Sequence, residues 1–249
     1  MLIDAHIHLD QYEDVEIPSL LEEVEALIAV SMQLSSCQKT LNLAKVYPKV
    51  KAAFGFHPEQ PLPSEIEEKA LFDWIRSHSD EMIAVGEVGL PYYLRQEQAL
   101  DVRPYEALLE RFIVLAKELD KPIVLHAVYE DATVVCELLE KHQLRQAHFH
   151  WFKGDEAVVK RMIQQGYFIS VTPDALYEEE IQQLIQIYPI ELMMVETDGP
   201  WPFEGPFTNK PTSPWMMYST IEVIAAIKGL SIQEAAQIIT QNTTNFYRL

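Results

Sequence analysis

Short aliphatic runs alternate with amphipathic stretches along the whole chain, and this alternation restricts the fold more than any other feature. The runs have the length of buried strands, whereas the stretches between them repeat apolar residues at the three- and four-residue spacing of a helix. This pattern is typical of a parallel sheet built from βα units. Eight strands are predicted, at Leu2–His8, Ala26–Val30, Lys51–Phe54, Met82–Glu87, Pro122–His126, Gln146–His150, Tyr167–Val171 and Leu192–Glu196.

The amphipathic stretches predict eight helices. They cover Ser36–Val46, Ser64–Ser77, Gln96–Leu119, Asp131–His142, Glu156–Gln165, Glu178–Ile187, Ser219–Lys228 and Ile232–Thr240. Ser231 and Glu234 have the spacing of a capping box at the start of the last helix. Eight strands alternating with helices favour an α/β fold of the closed (β/α)8 TIM-like barrel type, with an open doubly wound sheet as the alternative. A length of 249 residues suits one barrel domain spanning residues 1–249.

The chain is strongly acidic, with 38 Asp and Glu residues against 19 Lys and Arg residues and a formal net charge of -19. Nucleic-acid binding gains much of its affinity from basic residues that displace counterions, so this charge opposes the binding of a polyanion. The alternative interpretation is that the acidity only keeps an enzyme soluble. The charge therefore argues against a nucleic-acid substrate but does not exclude one.

The cysteine content points to a reducing compartment, and the hydropathy points to a protein that does not enter a membrane. Cys37 and Cys136 lie far apart in apolar segments, which predicts buried thiols and gives no support to a disulfide or a cysteine-based zinc site. No targeting leader and no apolar stretch of membrane-spanning length is recognised. We expect a cytoplasmic protein that does not enter a membrane, and we infer no stable protein partner.

Histidines and carboxylates lie at the ends of most predicted strands. Strand alternation puts Asp4, His6 and His8 on one face, where both imidazoles can reach one ion. Four more candidates end or follow later strands, namely Glu87, His126, His150 and Asp198. One histidine near a strand end is more often structural than a ligand. However, the carboxyl ends of parallel strands converge on one mouth, so four histidines and two carboxylates together predict a metal centre. This ligand set suits Zn²⁺, Mn²⁺ or related ions better than Ca²⁺.

At these positions the chain resembles the TatD-like metal-dependent hydrolases, a branch of the amidohydrolase superfamily with a (β/α)8 barrel. The matching motifs occur in the family's order from the first strand to the last. They are Asp4-Ala5-His6-Ile7-His8, Gly55-Phe56-His57-Pro58, Gly86-Glu87-Val88-Gly89-Leu90, Leu125-His126, His150-Trp151-Phe152-Lys153-Gly154 and Glu196-Thr197-Asp198-Gly199-Pro200. The likeness spans essentially the whole chain, and the ordered set is far more specific than a lone His-x-His.

The resemblance implies two divalent metal ions, with Zn²⁺, Mn²⁺ and Mg²⁺ as candidates. One ion would be held by His6, His8, Glu87 and Asp198, and the second by Glu87, His126 and His150. Glu87 would bridge the two ions, and Asp198 would also act as the general base that accepts a proton from the attacking water. A two-metal site lowers the pKa of water and stabilises the attacking and leaving oxygens of a displacement.

Other polar and aromatic residues near the motifs are candidates for supporting the ligands or contacting the substrate. His57 either lines the pocket or caps a loop, and His148 is expected to be structural. Asp4 and Glu196 are candidates for orienting the ligands from behind. The candidate substrate contacts are His57, Tyr92, Trp151, Lys153 and Lys210, whose aromatic members either stack on bases or simply pack.

Departures from the family gather near the presumed substrate and leave the ligands intact. Pro91 stands where many members carry Asp, and Val128 stands where many carry Arg. Of the basic residues that members often show before the segment Pro211–Pro214, only Lys210 remains. A valine cannot replace the bidentate phosphate contact of an arginine. Phosphate recognition is therefore the least certain part of the resemblance.

Three functions follow from this reading. The first is a deoxyribonuclease-type hydrolysis of a phosphodiester in DNA, which is the activity usually assigned to TatD-like proteins. The second is hydrolysis of a small phosphoester, amide or lactone without nucleic-acid activity, which the net charge and Val128 favour. The third is a non-catalytic metal-binding barrel, which the presence of all six ligands opposes.

Overall fold

Eight parallel strands form one sheet in the order in which they occur along the chain, in a computed structural model that describes residues 1–249. Each strand pairs in parallel with the next one. The strands are β1 Leu2–Ile7, β2 Val24–Ala29, β3 Val50–Phe54, β4 Ala84–Gly89, β5 Ile123–His126, β6 Ala147–Phe149, β7 Phe168–Val171 and β8 Met193–Val195. All eight predicted strands are present, within a few residues of their expected bounds.

Backbone hydrogen bonds beyond the end of β8 bring the last strand back to the first. The Asp198 N–H donates to the carbonyl oxygen of His6 at 2.9 Å, and the His8 N–H donates to that of Gly199 at 2.8 Å. The sheet therefore curls into a nearly closed barrel at its carboxyl end. The predicted (β/α)8 TIM-like barrel is confirmed, and the open doubly wound alternative is wrong.

Ten helices accompany the strands. They are α1 Ile17–Glu22, α2 Leu34–Val46, α3 Glu65–Ser77, α4 Tyr92–Glu97, α5 Arg103–Glu118, α6 Glu130–His142, α7 Glu156–Gln165, α8 Glu179–Ile187, α9 Met216–Lys228 and α10 Ile232–Tyr247. The predicted capping box of Ser231 and Glu234 is confirmed at the start of α10. None of the helices combines the length and the apolar character that a membrane crossing needs.

One helix prediction was wrong, and one helix was not predicted. The single helix expected over 96–119 is interrupted, because α4 ends at Glu97 and α5 begins at Arg103. Pro104 lies in the first turn of α5, where its missing N–H costs nothing, whereas in a helix interior it would break the hydrogen-bond ladder. The short helix α1, which also carries a proline in its first turn, was not predicted.

The apolar core has two layers. A large cluster lies between the strands and the surrounding helices, and a smaller one fills the barrel interior. The smaller cluster joins Phe246 and Tyr247 of α10 to Ile3, Ala26 and Ala84, which lie near the starts of their strands. The end of α10 therefore closes the barrel at the end opposite the carboxyl ends of the strands. This leaves the carboxyl end as the open mouth, where the polar residues lie.

Candidate metal centre

All six predicted ligands are buried at the carboxyl mouth of the barrel. They lie within or directly after four of the strands and in the turn that follows β8, so their positions depend on the backbone of the sheet rather than on flexible loops. The structure brings together His6, His8, Glu87, His126, His150 and Asp198, with a fifth imidazole, that of His57, beside them. Side chains held by strand ends keep a fixed geometry, as metal coordination requires.

Glu87 lies at the centre of the cluster, and its two carboxylate oxygens face different histidines. Oε2 lies 3.1 Å from Nε2 of His6 and 3.3 Å from Nε2 of His8. Oε1 lies 2.7 Å from Nε2 of His150 and 3.1 Å from Nδ1 of His126. One carboxylate thus divides four imidazoles into two pairs, one on each oxygen.

Asp198 joins the pair formed by His6 and His8. Its Oδ1 lies 3.2 Å from Nε2 of His6 and 3.4 Å from Nε2 of His8. The residue has a φ of +50°, in the left-handed region that costs a non-glycine residue about 1–2 kcal/mol. The backbone hydrogen bond from Asp198 to His6 helps to hold this conformation. Such local strain is characteristic of functional sites.

His57 has two contacts, one on each ring nitrogen. Its Nε2 lies 3.3 Å from Oε1 of Glu87, and its Nδ1 accepts a hydrogen bond from the Glu59 N–H at 3.2 Å. The residue therefore both faces the cluster and caps its own loop, so the two roles expected from the sequence are compatible.

Several buried atoms in the cluster have no hydrogen-bond partner within the protein. They include Nε2 of His6, Oε2 of Glu87 and Oδ1 of Asp198, which come from three different strand ends and face one another. Buried polar atoms are almost always paired, so unpaired atoms that converge need a shared partner. Imidazole nitrogens and carboxylate oxygens at one point are the donor set of a divalent cation such as Zn²⁺ or Mn²⁺. The residues present fit such an ion.

The electrostatics of the cluster also call for positive charge. Burial disfavours a charged imidazole at His8, but the carboxylates of Asp198 and Glu87 outweigh it and raise the pKa of His8 to about 10. Burial would raise the pKa of Glu87, yet the surrounding histidines hold it well below its usual value. Burial would also raise the pKa of Asp198, but His6 and His8 lower it. Both pKa shifts favour the ionised form of the carboxylates. A bound cation would supply the charge that otherwise comes from protons.

A series of polar contacts runs from His150 to the closed end of the barrel, and from Glu196 onward these contacts are hydrogen bonds. Nδ1 of His150 lies 3.6 Å from Oε1 of Glu196, and Oε2 of Glu196 accepts from the Ser170 hydroxyl at 2.5 Å. His148 joins Ser170 through Nε2 at 2.6 Å and the Tyr247 hydroxyl through Nδ1 at 2.7 Å. Burial lowers the pKa of His148 well below its usual value, so its ring is neutral, with one donor and one acceptor. The structure thus places His148 among structural partners and Glu196 behind His150.

Asp4 does not join the imidazoles. Its carboxylate accepts hydrogen bonds from the Thr197 N–H at 3.0 Å, the Thr197 hydroxyl at 2.5 Å and the His6 N–H at 3.2 Å. The register of β1 on β2 shifts between Asp4 and Ile7, so the regular alternation expected from the sequence does not hold there. Asp4 instead links β1 to the segment that carries Asp198.

A cavity of about 390 Å³ opens above the cluster. His57, His126, His150 and Asp198 form part of its lining, and the other lining residues are Glu59, Tyr93, Val128, Trp151 and Trp201. Three of these are aromatic, and none of the lining residues is a lysine or an arginine. Its volume suits part of a ligand the size of a nucleotide or a drug-like molecule.

Three candidate substrate residues lie outside the lining of this cavity. Tyr92 packs against Tyr129, with 4.9 Å between ring centroids, whereas its neighbour Tyr93 lines the cavity. Lys153 lies 3.8 Å from Asp174 and over the ring of Trp151. Lys210 lies over the rings of Phe207 and Trp215. Of the five candidates, the structure brings His57 and Trp151 to the cavity.

Glu59 contacts His126, and the sequence did not predict this contact. Its Oε1 lies 3.0 Å from Nε2 of His126, on the side of the ring that faces away from Glu87. It follows the Gly-Phe-His-Pro motif by one residue, and nothing in its sequence surroundings distinguishes it from a solvated loop glutamate. Only the packing of the turn after β3 against the start of α4 brings it to the histidine at the end of β5.

The sequence of this chain matches known proteins along its whole length. A family model described as "TatD related DNase" matches residues 3–248. A Haemophilus influenzae protein named as an uncharacterized metal-dependent hydrolase is 44% identical, with complete coverage of both chains. The human protein named deoxyribonuclease TATDN3 is 29% identical over 99% of this chain and 94% of its own length.

Solved structures show the same fold. The Escherichia coli TatD homologue YjjV superposes with a TM-score of 0.87 at 24% identity, covering 100% of this chain and 98% of the other. A TatD family hydrolase from Entamoeba histolytica superposes with a TM-score of 0.83 at 19% identity, covering 99% and 97%. The barrel and the family model agree from the first strand to the last helix. The chain belongs to the TatD family of metal-dependent hydrolases.

Proposed function

We propose that this hydrolase holds two divalent ions at the mouth of the barrel and cleaves a phosphodiester bond in DNA. The observation that carries the proposal is the division of the histidines by Glu87. His6 and His8 lie at Oε2, and Oδ1 of Asp198 faces the same two imidazoles. His126 and His150 lie at Oε1, with His57 beside them. A carboxylate that offers each oxygen to a different set of ligands is suited to bridge two ions.

The ions, Zn²⁺, Mn²⁺ or Mg²⁺, would supply a water of lowered pKa and positive charge for the leaving oxygen. Asp198 is both a proposed ligand and a lining residue of the cavity, so its carboxylate is accessible to a water bound above the ligands. It can therefore accept the proton of the attacking water. Glu87 lies beneath the cavity and holds the two sets of ligands at a fixed separation.

The walls of the cavity can bind a nucleotide through its base. Tyr93, Trp151 and Trp201 present aromatic rings to the space above the ligands, and a base stacked on an aromatic ring gains about 1–3 kcal/mol. The indole N–H of Trp151 donates to Asp174 at 2.6 Å, which fixes its orientation. The description of the family and the name of the human relative both speak of deoxyribonucleases, and they support the same substrate class.

The test is cleavage of a labelled single-stranded oligonucleotide by the purified protein with Mn²⁺, Mg²⁺ or Zn²⁺. We expect cleavage, and we expect Asp198→Asn to lower kcat by about 10²–10⁴-fold, the usual contribution of a positioned base. Asparagine keeps the size of the side chain, so the circular dichroism of the variant should match that of the original protein. An uncut oligonucleotide with all three ions would contradict the proposal, and an unchanged rate in Asp198→Asn would remove its base.

A second candidate, hydrolysis of a small phosphoester, amide or lactone, is favoured by the lining of the cavity. Val128 and Glu59 stand in the wall, and no lysine or arginine lines the space to neutralise a phosphate backbone. Arg95, a nearby cation, is paired with Asp131 at 2.7 Å and with Glu130 at 3.2 Å. A panel of small esters, lactones and amides, with metal-stripped protein as the control, separates the two candidates. Turnover of nucleic acid alone excludes the second.

A further inference from the structure

The ring of His126 is held from behind by a carboxylate that comes from a different part of the barrel. Oε1 of Glu59 lies 3.0 Å from Nε2 of His126, while Nδ1 of the same ring faces Oε1 of Glu87 at 3.1 Å. The other candidate ligand on this side, His150, has Glu196 behind it at the longer distance of 3.6 Å. Glu59 therefore makes the closer of the two carboxylate contacts behind these histidines.

Glu59 is itself fixed by the backbone of α4. Its Oε1 accepts a hydrogen bond from the Tyr93 N–H at 2.9 Å, and its Oε2 accepts one from the Leu94 N–H at 2.6 Å. Both oxygens thus accept hydrogen bonds from fixed donors. Because each oxygen already faces an amide N–H, the side chain offers only acceptors to the ring of His126. The ring nitrogen that faces it must carry the proton.

We propose that Glu59 is a positioning residue that keeps the proton of His126 on Nε2 and so presents the lone pair of Nδ1 to the ion shared with His150. A neutral imidazole carries one proton, and the hydrogen bond at one nitrogen decides which nitrogen is free to coordinate. Glu59 also fixes the rotation of the ring, because its own position is set by two backbone amides. The assignment rests on the proposed two-ion site and concerns the ion on the His126 side only.

Glutamine at this position tests the assignment sharply. Its single oxygen cannot accept from both the His126 side and the Leu94 N–H. If the amide oxygen faces Leu94, the NH₂ group meets the Tyr93 N–H, a second donor, and points at Nε2 of His126. It then either displaces the side chain or moves the ring proton to Nδ1, where the proton blocks coordination. If it is reversed, two donors meet at Leu94 and the side chain is displaced. Either arrangement weakens binding of one ion and leaves the ion at His6 and His8 in place.

The experiment compares metal-stripped original protein, Glu59→Gln, Glu59→Ala and a control, Glu67→Gln, in titrations with Zn²⁺ and Co²⁺ followed by calorimetry and by the Co²⁺ absorption spectrum. Glu67 is also a carboxylate that accepts a backbone hydrogen bond at the start of a helix, but it is exposed and lies outside the cavity lining. We expect one of two ions to bind about 10–100-fold more weakly in both Glu59 variants, as is usual when a partner behind a ligand is lost. The control should bind both ions as the original protein does.

Outcomes that overturn the assignment are distinct from those that overturn the proposed function. If Glu59→Gln and Glu59→Ala lower the melting temperature of the metal-free protein but bind both ions normally, Glu59 only caps α4. In the original protein loaded with Zn²⁺, ¹⁵N-histidine spectra should show His126 protonated on Nε2 and free of a proton on Nδ1, and the reverse would refute the tautomer whether or not the variants fold. If the original protein binds fewer than two ions, the two-ion site and this role of Glu59 fall together.

Discussion

Removing one hydroxyl at the closed end of the barrel should destabilise the protein by a predictable amount. Tyr247 is 2% exposed, and its hydroxyl donates to Nδ1 of His148 at 2.7 Å. Tyr247→Phe keeps the ring, which packs against Phe246 with 4.9 Å between centroids, so the buried apolar area is preserved. What changes is that a buried nitrogen loses its donor, which costs about 1–3 kcal/mol. For a chain of this size the melting temperature falls by about 2–4 °C per kcal/mol, which gives roughly 2–12 °C.

Tyr188→Phe is the matched control for this change. Tyr188 is fully buried, and its hydroxyl also makes one hydrogen bond of 2.7 Å, to the carbonyl oxygen of Tyr167, away from the ligands. Urea unfolding of the metal-stripped proteins should give both variants a loss of about 1–3 kcal/mol. Only Tyr247→Phe should also weaken ion binding. Without the Tyr247 hydroxyl, the proton of His148 can move to Nδ1, and Nε2 then accepts from the Ser170 hydroxyl in place of Glu196. Glu196 loses this hydrogen bond and holds His150 less firmly. If Tyr247→Phe costs less than about 0.5 kcal/mol while Tyr188→Phe costs the expected amount, the hydrogen-bond chain does not stabilise the barrel.

Three further predictions address the ions, the thiols and one glycine. Chelation should lower the melting temperature, and restoring an ion to 100 times its Kd should add about 2.7 kcal/mol per site, or roughly 5–11 °C in a scanning calorimeter; a melting temperature indifferent to chelator would mean that no ion binds the folded state. Burial raises the pKa of Cys37 in α2 and of Cys136 in α6 to about 12 each. A colourless disulfide reagent that releases a coloured thiolate should therefore report no reactive thiol in the native protein at pH 8 and two after unfolding in denaturant. Rapid labelling of the native protein would show that α2 and α6 open. Gly89→Ala would place a Cβ 1.9 Å from the carbonyl oxygen of His126, and it should lower the free energy of unfolding in urea by more than about 4 kcal/mol. The control Gly229→Ala lies in open space at φ +68° and should lower it by only about 1–2 kcal/mol. Comparable decreases in the two variants would mean that β4 can move away from β5.

Much of the barrel was predictable because its strands are buried on both faces. Continuous apolar runs such as Ile123–His126 are typical of strands that are covered on both faces. All eight predicted strands appear in the structure. Helix ends were less predictable. α10 continues to Tyr247 through a polar run of weak helix formers, Asn242–Asn245, because Phe246 and Tyr247 are buried in the barrel interior. Tertiary packing overrides local propensity there, and a single sequence does not show it.

The residues that converge at the mouth could be predicted, but their supporting contacts could not. His126 and His150 end or follow strands, so topology alone brings them together. Glu59 depends on how the turn after β3 folds against the start of α4, which leaves no periodic signal in the sequence. Asp4 was expected beside His6, but an irregularity of the β1 register turns it to Thr197. Irregular backbone is where pattern arguments fail.

The contact between the first and last strands has a consequence for protein synthesis. His8 and Asp198, whose Nε2 and Oδ1 atoms lie 3.4 Å apart, are separated by about 190 residues of chain. At a ribosomal rate of about 5–20 residues per second, roughly 10–40 s pass between the synthesis of these two residues. A nascent chain therefore cannot bring these two side chains together until Asp198 has been translated. Any ion that needs both side chains can be bound only late in elongation or after it.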